Sequence, residues 1–140
     1  MNLDISFFPV LVATIVSMMI GFAWYGPLFG KKWMKAVGIT KEDLEKERKK
    51  GMAKQYLTNF VSAFITAYAL AIVINSIGVT SLLGGAFVGF WIWLGFVVTV
   101  TFQTVIWEKR SKESFKINTG FNLVAFIVMG ALLALWLSNT

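Results

Sequence analysis

Four long apolar segments alternate with polar connections along the chain, and together they predict its architecture. The segments cover residues 6–25, 56–77, 82–107 and 117–137. At a rise of about 1.5 Å per residue, a helix of about 20 residues crosses a hydrocarbon core of about 30 Å. The pattern predicts an all-α membrane protein with four transmembrane helices in an antiparallel bundle, as a single membrane domain over residues 1–140.

The polar connections at residues 26–55 and 108–116 hold all thirteen lysines and arginines of the chain. The two termini and the short turn at residues 78–81 hold none. Basic connections of membrane proteins stay on the cytoplasmic side. We therefore expect a bacterial or archaeal plasma membrane protein with cytoplasmic basic connections and with both termini outside.

The longer connection also predicts a short cytoplasmic helix between the first two spans. Thr40 followed by Asp43 resembles a capping box, in which each residue satisfies a backbone N–H of the other. Acidic residues come early in this segment, and Arg48, Lys49 and Lys50 come late. That order complements the helix dipole.

Small residues recur at helical spacing in three of the spans. Close helix packing in lipid uses such faces. The candidate packing residues are Ala13, Ser17, Gly21, Gly85, Gly89, Gly130 and Ala134. Several such faces exceed what one four-helix bundle needs, so we expect a homo-oligomer. The alternative is that small residues are simply common in membrane helices.

A second set of residues is polar in an apolar setting, and it allows three interpretations: contacts between helices, a polar cavity or pore, and placement toward lipid. Its members are Asn59, Asn75, Gln103, Asn118 and Asn122. They could form hydrogen bonds between helices, which would bury them inside the bundle. They could instead line a polar cavity or pore for a small molecule.

Composition restricts the chemistry that the chain can perform. Apolar residues make up 57% of the sequence, mean hydropathy is +0.72, and there is neither cysteine nor histidine. The predicted spans contain no Asp, Glu, Lys, Arg or His, which argues against a proton-coupled pump. We expect no catalytic residue, no metal, no cofactor and no enzyme activity.

The net charge of +6 needs no nucleic acid, because the basic residues lie beside apolar spans. We expect membrane lipids as partners. Anionic lipid at the cytoplasmic face remains an alternative to a role in topology alone.

A segment rich in aromatic residues and glycine follows the first span. Its candidate interfacial residues are Trp24, Tyr25, Gly26, Pro27, Phe29, Gly30, Lys31 and Trp33. Tryptophan and tyrosine prefer the headgroup layer, and a Gly-Pro pair favours the end of a helix. One interpretation is an interfacial turn that anchors the span. The other is a functional loop that re-enters the membrane or binds a partner.

Two stretches carry a resemblance to a known family. They are WYGPLFGKKWM at residues 24–34, and INTGFN at residues 117–122 with MGALLALW at residues 129–136. The chain resembles an uncharacterised bacterial integral-membrane family that is catalogued as a domain of unknown function, number seventeen sixty-one. The resemblance implies a small membrane protein and brings no activity with it.

Two functional hypotheses follow from these patterns. The first is a non-enzymatic, oligomeric membrane component whose helices associate through small-residue faces. The second is a channel or carrier for a small neutral or amphipathic molecule, with the polar residues of the spans along its path. An enzyme at the cytoplasmic face using Glu108 and Arg110 is a third, weaker alternative, because no soluble domain would exclude water.

Overall fold

The computed structural model describes residues 4–139, which are almost entirely helical. Seven α-helices and two π-helical segments follow one another within this range. They are α1 (Phe7–Ala23), π1 (Trp24–Leu28), α2 (Gly30–Val37), α3 (Lys41–Lys50), α4 (Ala53–Ile77), α5 (Leu82–Ile92), π2 (Trp93–Val98), α6 (Thr99–Trp107) and α7 (Lys112–Leu137).

Four continuous helical stretches are long and apolar enough to cross a membrane. They are Phe7–Leu28, Ala53–Ile77, Leu82–Trp107 and Lys112–Leu137. We call Leu82–Trp107 the third span; it comprises α5, π2 and α6. The four expected apolar helices are therefore present. The fourth begins at Lys112 rather than at 117, because the Ser111 hydroxyl accepts a hydrogen bond from the Ser114 N–H at 3.3 Å and caps the helix there.

The connection at residues 26–55 contains two helices where the sequence predicted one. The expected helix is α3: the Asp43 N–H donates to the Thr40 hydroxyl at 3.1 Å, and the Thr40 N–H donates to Asp43 Oδ2 at 3.0 Å. That backbone hydrogen bond also lowers the pKa of the Asp43 carboxyl. The additional helix is α2, which ends where Gly38 adopts a φ of 76°.

Helix α7 lies at the centre and packs against α1, α4 and α5. The start of α1 lies beside the end of α7, where the rings of Phe8 and Trp136 are 5.5 Å apart. The rings of Phe22 and Tyr56 bring the end of α1 beside the start of α4, with centroids 5.9 Å apart. The shared core is formed by Ile5, Val10, Ala13, Ala67, Leu70, Ala71, Ile74, Ala125, Met129, Leu133 and Ala134.

The closest helix pair is α5 with α7. A methyl group at Gly85 would overlap the Gly130 carbonyl oxygen, and one at Gly89 would overlap the Phe126 carbonyl oxygen. Ala134 contacts the same surface of Gly85. These small residues let two backbones meet directly, as close packing in lipid requires.

The small residues of α1 are also used inside the chain. Ala13 and Ser17 are buried, and a methyl group at Gly21 would lie 3.4 Å from the Phe121 ring. The faces that motivated an oligomer are thus occupied by neighbouring helices of the same chain.

Candidate functional site

Residues 24–25 of the first stretch that carries the family resemblance lie against residues 117–118 of the second, at one end of the bundle. The Trp24 indole N–H donates to the Ile117 carbonyl oxygen at 2.9 Å. The Tyr25 hydroxyl donates to Asn118 Oδ1 at 2.6 Å. Both donors come from π1, and both acceptors lie in the second turn of α7. The sequence predicted neither this contact nor its hydrogen bonds.

Each π-helical segment begins at a tryptophan that binds α7. In π1 the Phe29 N–H donates to the Trp24 carbonyl at 2.8 Å, five residues back, and the wider turn accommodates Pro27, which has no N–H to donate. In π2 the Trp93 indole N–H donates to the Thr119 carbonyl at 2.8 Å. The side chains of Trp24, Tyr25 and Trp93 therefore donate to three consecutive residues of α7, at positions 117–119.

The two glycines of the first motif have different surroundings. A methyl group at Gly30 would lie 2.6 Å from the Tyr25 carbonyl oxygen, so the start of α2 approaches π1 at a distance that a side chain would prevent. A methyl group at Gly26 meets no described atom within 4 Å outside its neighbouring backbone. Of the two, only Gly30 is required by close approach.

The remaining residues of this motif divide between contact and exposure. The rings of Trp24 and Phe29 are 4.6 Å apart, and those of Tyr25 and Trp33 are 5.6 Å apart. Pro27 and Lys31 are exposed. Residues 24–37 are largely helical, and α2 packs on α7, an arrangement that is neither a simple turn nor an extended loop.

The five polar residues of the spans do not come together in one path. Asn118 binds Tyr25, and Gln103 is exposed and accepts a hydrogen bond from the Trp107 indole in the same helix at 3.1 Å. Asn75 is half-buried near the far end of α4.

Two members of that set, Asn59 and Asn122, do meet. They line a cavity of about 150 Å³ between α1, α4 and α7, together with Ser17 and Thr66. Asn59 itself is exposed, so it is not buried between helices as the first interpretation of the polar set expected. The lining of this cavity combines polar side chains with apolar ones such as Phe121 and Met129.

The cavity continues into a groove between α4 and the third span, because these two helices hardly touch. At its deep end the groove widens into an apolar recess of about 300 Å³, where Val73 of α4 faces Phe96 and Val97 of π2. Thr66 and Phe126 line both the recess and the cavity beside Asn59 and Asn122. At the other end, Asn59 and Ser62 belong to a shallow surface that reaches Lys54. We call this continuous feature the α4 groove.

Comparison with family models assigns the chain to a protein family. The model described as Protein of unknown function (DUF1761) matches residues 8–134, which is nearly the whole sequence. The chain belongs to this family. Comparison with curated proteins and with solved structures gives no match. Both stretches named for the resemblance fall within the matched range or at its edge.

Several residues of these two sites had not been singled out as candidates. Trp93 is one of them, because nothing in its spacing indicates that its indole reaches α7. By contrast, the spacing of Ser62 and Thr66 does predict that they share a helix face with Asn59, because Ser62 follows Asn59 by three residues and Thr66 follows Ser62 by four.

Proposed function

We propose that this member of the family is a non-enzymatic membrane protein that binds an amphipathic molecule of the lipid class in the α4 groove. The observation that carries the proposal is the gradient of polarity along the groove. It begins at a lysine, passes an exposed carboxamide and hydroxyl groups, and ends in an apolar recess.

The length of the groove suits such a ligand. From Lys54 to Val73 the helix rises about 28 Å, at about 1.5 Å per residue, which is close to the thickness of the hydrocarbon core. Asn59 and Ser62 are exposed on this face. Polar groups in contact with hydrocarbon are costly unless a partner satisfies them. The headgroup of an amphipathic molecule would supply hydrogen bonds to both, while its chain would cover the apolar recess.

The orientation that we propose is the one predicted from charge. Opposite ends of the first and fourth spans meet at Phe8 and Trp136, and opposite ends of the first and second meet at Phe22 and Tyr56. These contacts support an antiparallel four-helix bundle. The positive-inside rule then assigns α2, α3 and the basic connections to the cytoplasm and both termini to the outside of a bacterial or archaeal plasma membrane. Lys54 accordingly marks the cytoplasmic end of the α4 groove.

A non-enzymatic role is supported by the chemistry of the groove. Its membrane-embedded polar groups are carboxamides and hydroxyls, and Thr66 Oγ1 donates to the Ser62 carbonyl of its own helix at 3.0 Å. Such groups hydrogen-bond a ligand but do not exchange protons with it near neutral pH.

Native mass spectrometry of the detergent-released protein tests this proposal. The wild type should retain one lipid-sized adduct, and the double variant Asn59→Leu/Ser62→Leu should bind it about tenfold more weakly, as expected when about 1.4 kcal/mol of hydrogen bonding is lost. Val61→Leu is the matched control, because Val61 is exposed on the same helix outside the groove. Equal adduct retention in the double variant and the control would refute the proposal.

A homo-oligomer is the second candidate, and the exposed Asn59 favours it too. A second copy could cover the same polar face of α4, although the small-residue faces are already used within one chain. The same spectra discriminate the two. A dimer mass that Asn59→Leu/Ser62→Leu abolishes, without any lipid adduct, would support the second copy.

A further inference from the structure

A second cavity, separate from the α4 groove, lies at the basic end of the bundle between α2, α6 and the first turns of α7. Its volume is about 460 Å³, within the range of small-molecule sites. The polar part of its lining is formed by Trp33, Thr101, Thr104, Arg110, Ser111, Ser114 and Asn118. Trp33 and Asn118 belong to the two stretches of the family resemblance.

The lining offers hydrogen-bond donors whose acceptors are missing. The Trp33 indole N–H is buried and has no partner among residues 4–139. Asn118 accepts from Tyr25 through Oδ1, so its Nδ2 donors remain for another acceptor. A buried donor without a partner is unfavourable, and a ligand oxygen beside Trp33 would remove that cost.

One basic side chain, Arg110, lines the same cavity. Arg110 Nε donates to Glu108 Oε2 at 3.0 Å, and a guanidinium group carries further N–H donors beyond that one. The Arg110 side chain is 69% exposed, so it can turn toward a ligand.

An adjoining recess of about 530 Å³ extends the basic surface. It shares Ala36 and Ser111 with the cavity and adds Lys32 and Lys35, together with one acidic residue, Glu113. The combined surface therefore carries three basic side chains against Glu113 and the partner of Arg110.

We propose that this cavity binds an anionic phosphate group. Phosphate oxygens accept from indole, carboxamide and guanidinium donors, and arginine matches their geometry with two parallel hydrogen bonds. The cavity lies at the end of the bundle where the basic connections meet the membrane, so the group can belong to a lipid headgroup or to a soluble phosphate. This proposal does not depend on the α4 groove, since the two share no lining residue.

Thermal unfolding in nanodiscs tests the proposal with two probes. The first comparison is phosphatidylglycerol against phosphatidylcholine nanodiscs. The second adds inorganic phosphate to phosphatidylcholine nanodiscs, against chloride at equal ionic strength. A rise in Tm of about 4 °C with phosphatidylglycerol alone identifies a lipid headgroup, and the same rise with inorganic phosphate identifies a soluble ligand. No rise with either probe overturns the proposal.

Two variants with matched controls assign the effect to this cavity. Arg110→Gln should lose at least half of the rise, whereas Arg48→Gln on exposed α3 makes the same change of charge and should keep it. Trp33→Phe should also reduce the rise, while without phosphate its Tm should equal or exceed that of the wild type because an unsatisfied donor is gone. Trp107→Phe, at an exposed indole, should keep the rise. Equal losses in Arg110→Gln and Arg48→Gln would show general charge attraction and overturn the assignment.

Discussion

The two sides of the third span differ in how closely they pack against their neighbours. On one side, α5 meets α7 backbone to backbone at Gly85, Gly89 and Gly130. On the other, the span hardly touches α4, and the α4 groove separates them. One span therefore makes the closest helix contact in the bundle on one side and borders an open groove on the other.

The residues on each side match the difference in packing. Small residues line the tight side, where the absence of side chains lets two helices approach. On the open side, α4 carries exposed Asn59 and Ser62, which would be unfavourable against lipid tails. The polar residues of α4 are therefore consistent with a gap on this side, and they support a groove that holds a ligand.

Substitutions on the tight side should have the largest effect. Gly85→Ala places a methyl group against the Gly130 carbonyl, and neither backbone can yield without separating α5 from α7. We expect a loss of about 3 kcal/mol in the free energy of unfolding, measured in mild detergent. Gly95→Ala is the control: its methyl group meets no described atom within 4 Å outside its own helix, so it should be neutral or gain up to about 1 kcal/mol. Equal effects at the two positions would contradict the tight contact.

A smaller effect is expected where α2 approaches π1. Gly30→Ala brings Cβ to 2.6 Å from the Tyr25 carbonyl oxygen and should cost about 2 kcal/mol. Gly26→Ala, in the same motif but in open space, should be tolerated. Circular dichroism melts of both variants measure the difference, and a Gly26 variant that is the less stable of the two would disprove the account of this motif.

The hydrogen bond between π2 and α7 should contribute less again. Trp93→Phe removes the indole donor to the Thr119 carbonyl, which leaves that oxygen without its bond and should lower stability by about 1 kcal/mol. Trp91→Phe changes the same atoms at an exposed position two residues earlier and should stay within about 0.5 kcal/mol of the wild type. If both variants unfold at the same denaturant concentration, the Trp93 bond does not hold the third span to α7.

Filling the open side should have the smallest effect. Ala69 is exposed in the apolar recess, so Ala69→Leu should change stability by less than about 0.5 kcal/mol. Ala67, two residues earlier, is fully buried, and Ala67→Leu should cost about 1–3 kcal/mol through overpacking. Urea or detergent titration of the pair compares them directly. A large loss in the Ala69 variant would mean that the groove is closed.

The spans and the α3 helix were predictable because their signals are local. Hydropathy over about 20 residues locates each membrane helix, and the Thr40–Asp43 pair marks the start of α3. These helices can therefore be predicted without knowing which residues they contact.

The candidate sites depend on contacts between distant segments, and the sequence could only suggest their members. Tyr25 and Asn118 lie 93 residues apart, and nothing in the sequence indicates that their side chains form a hydrogen bond. The π-helical segments were missed because a single wider turn leaves hydropathy unchanged. Helix α2 was missed because it is only eight residues long and begins within the segment rich in aromatic residues and glycine. Gly30 and Trp33 of that segment favoured a turn.

The most direct test of the central claim is a structure determined in lipid nanodiscs by electron cryo-microscopy, with a bound antibody fragment to supply size. The account predicts elongated density between α4 and the third span, with its polar end beside Asn59 and its apolar end between Val73 and Phe96. Direct contact of α4 with Phe96 that closes the groove, or a helix of a second copy lying in it, would contradict the account.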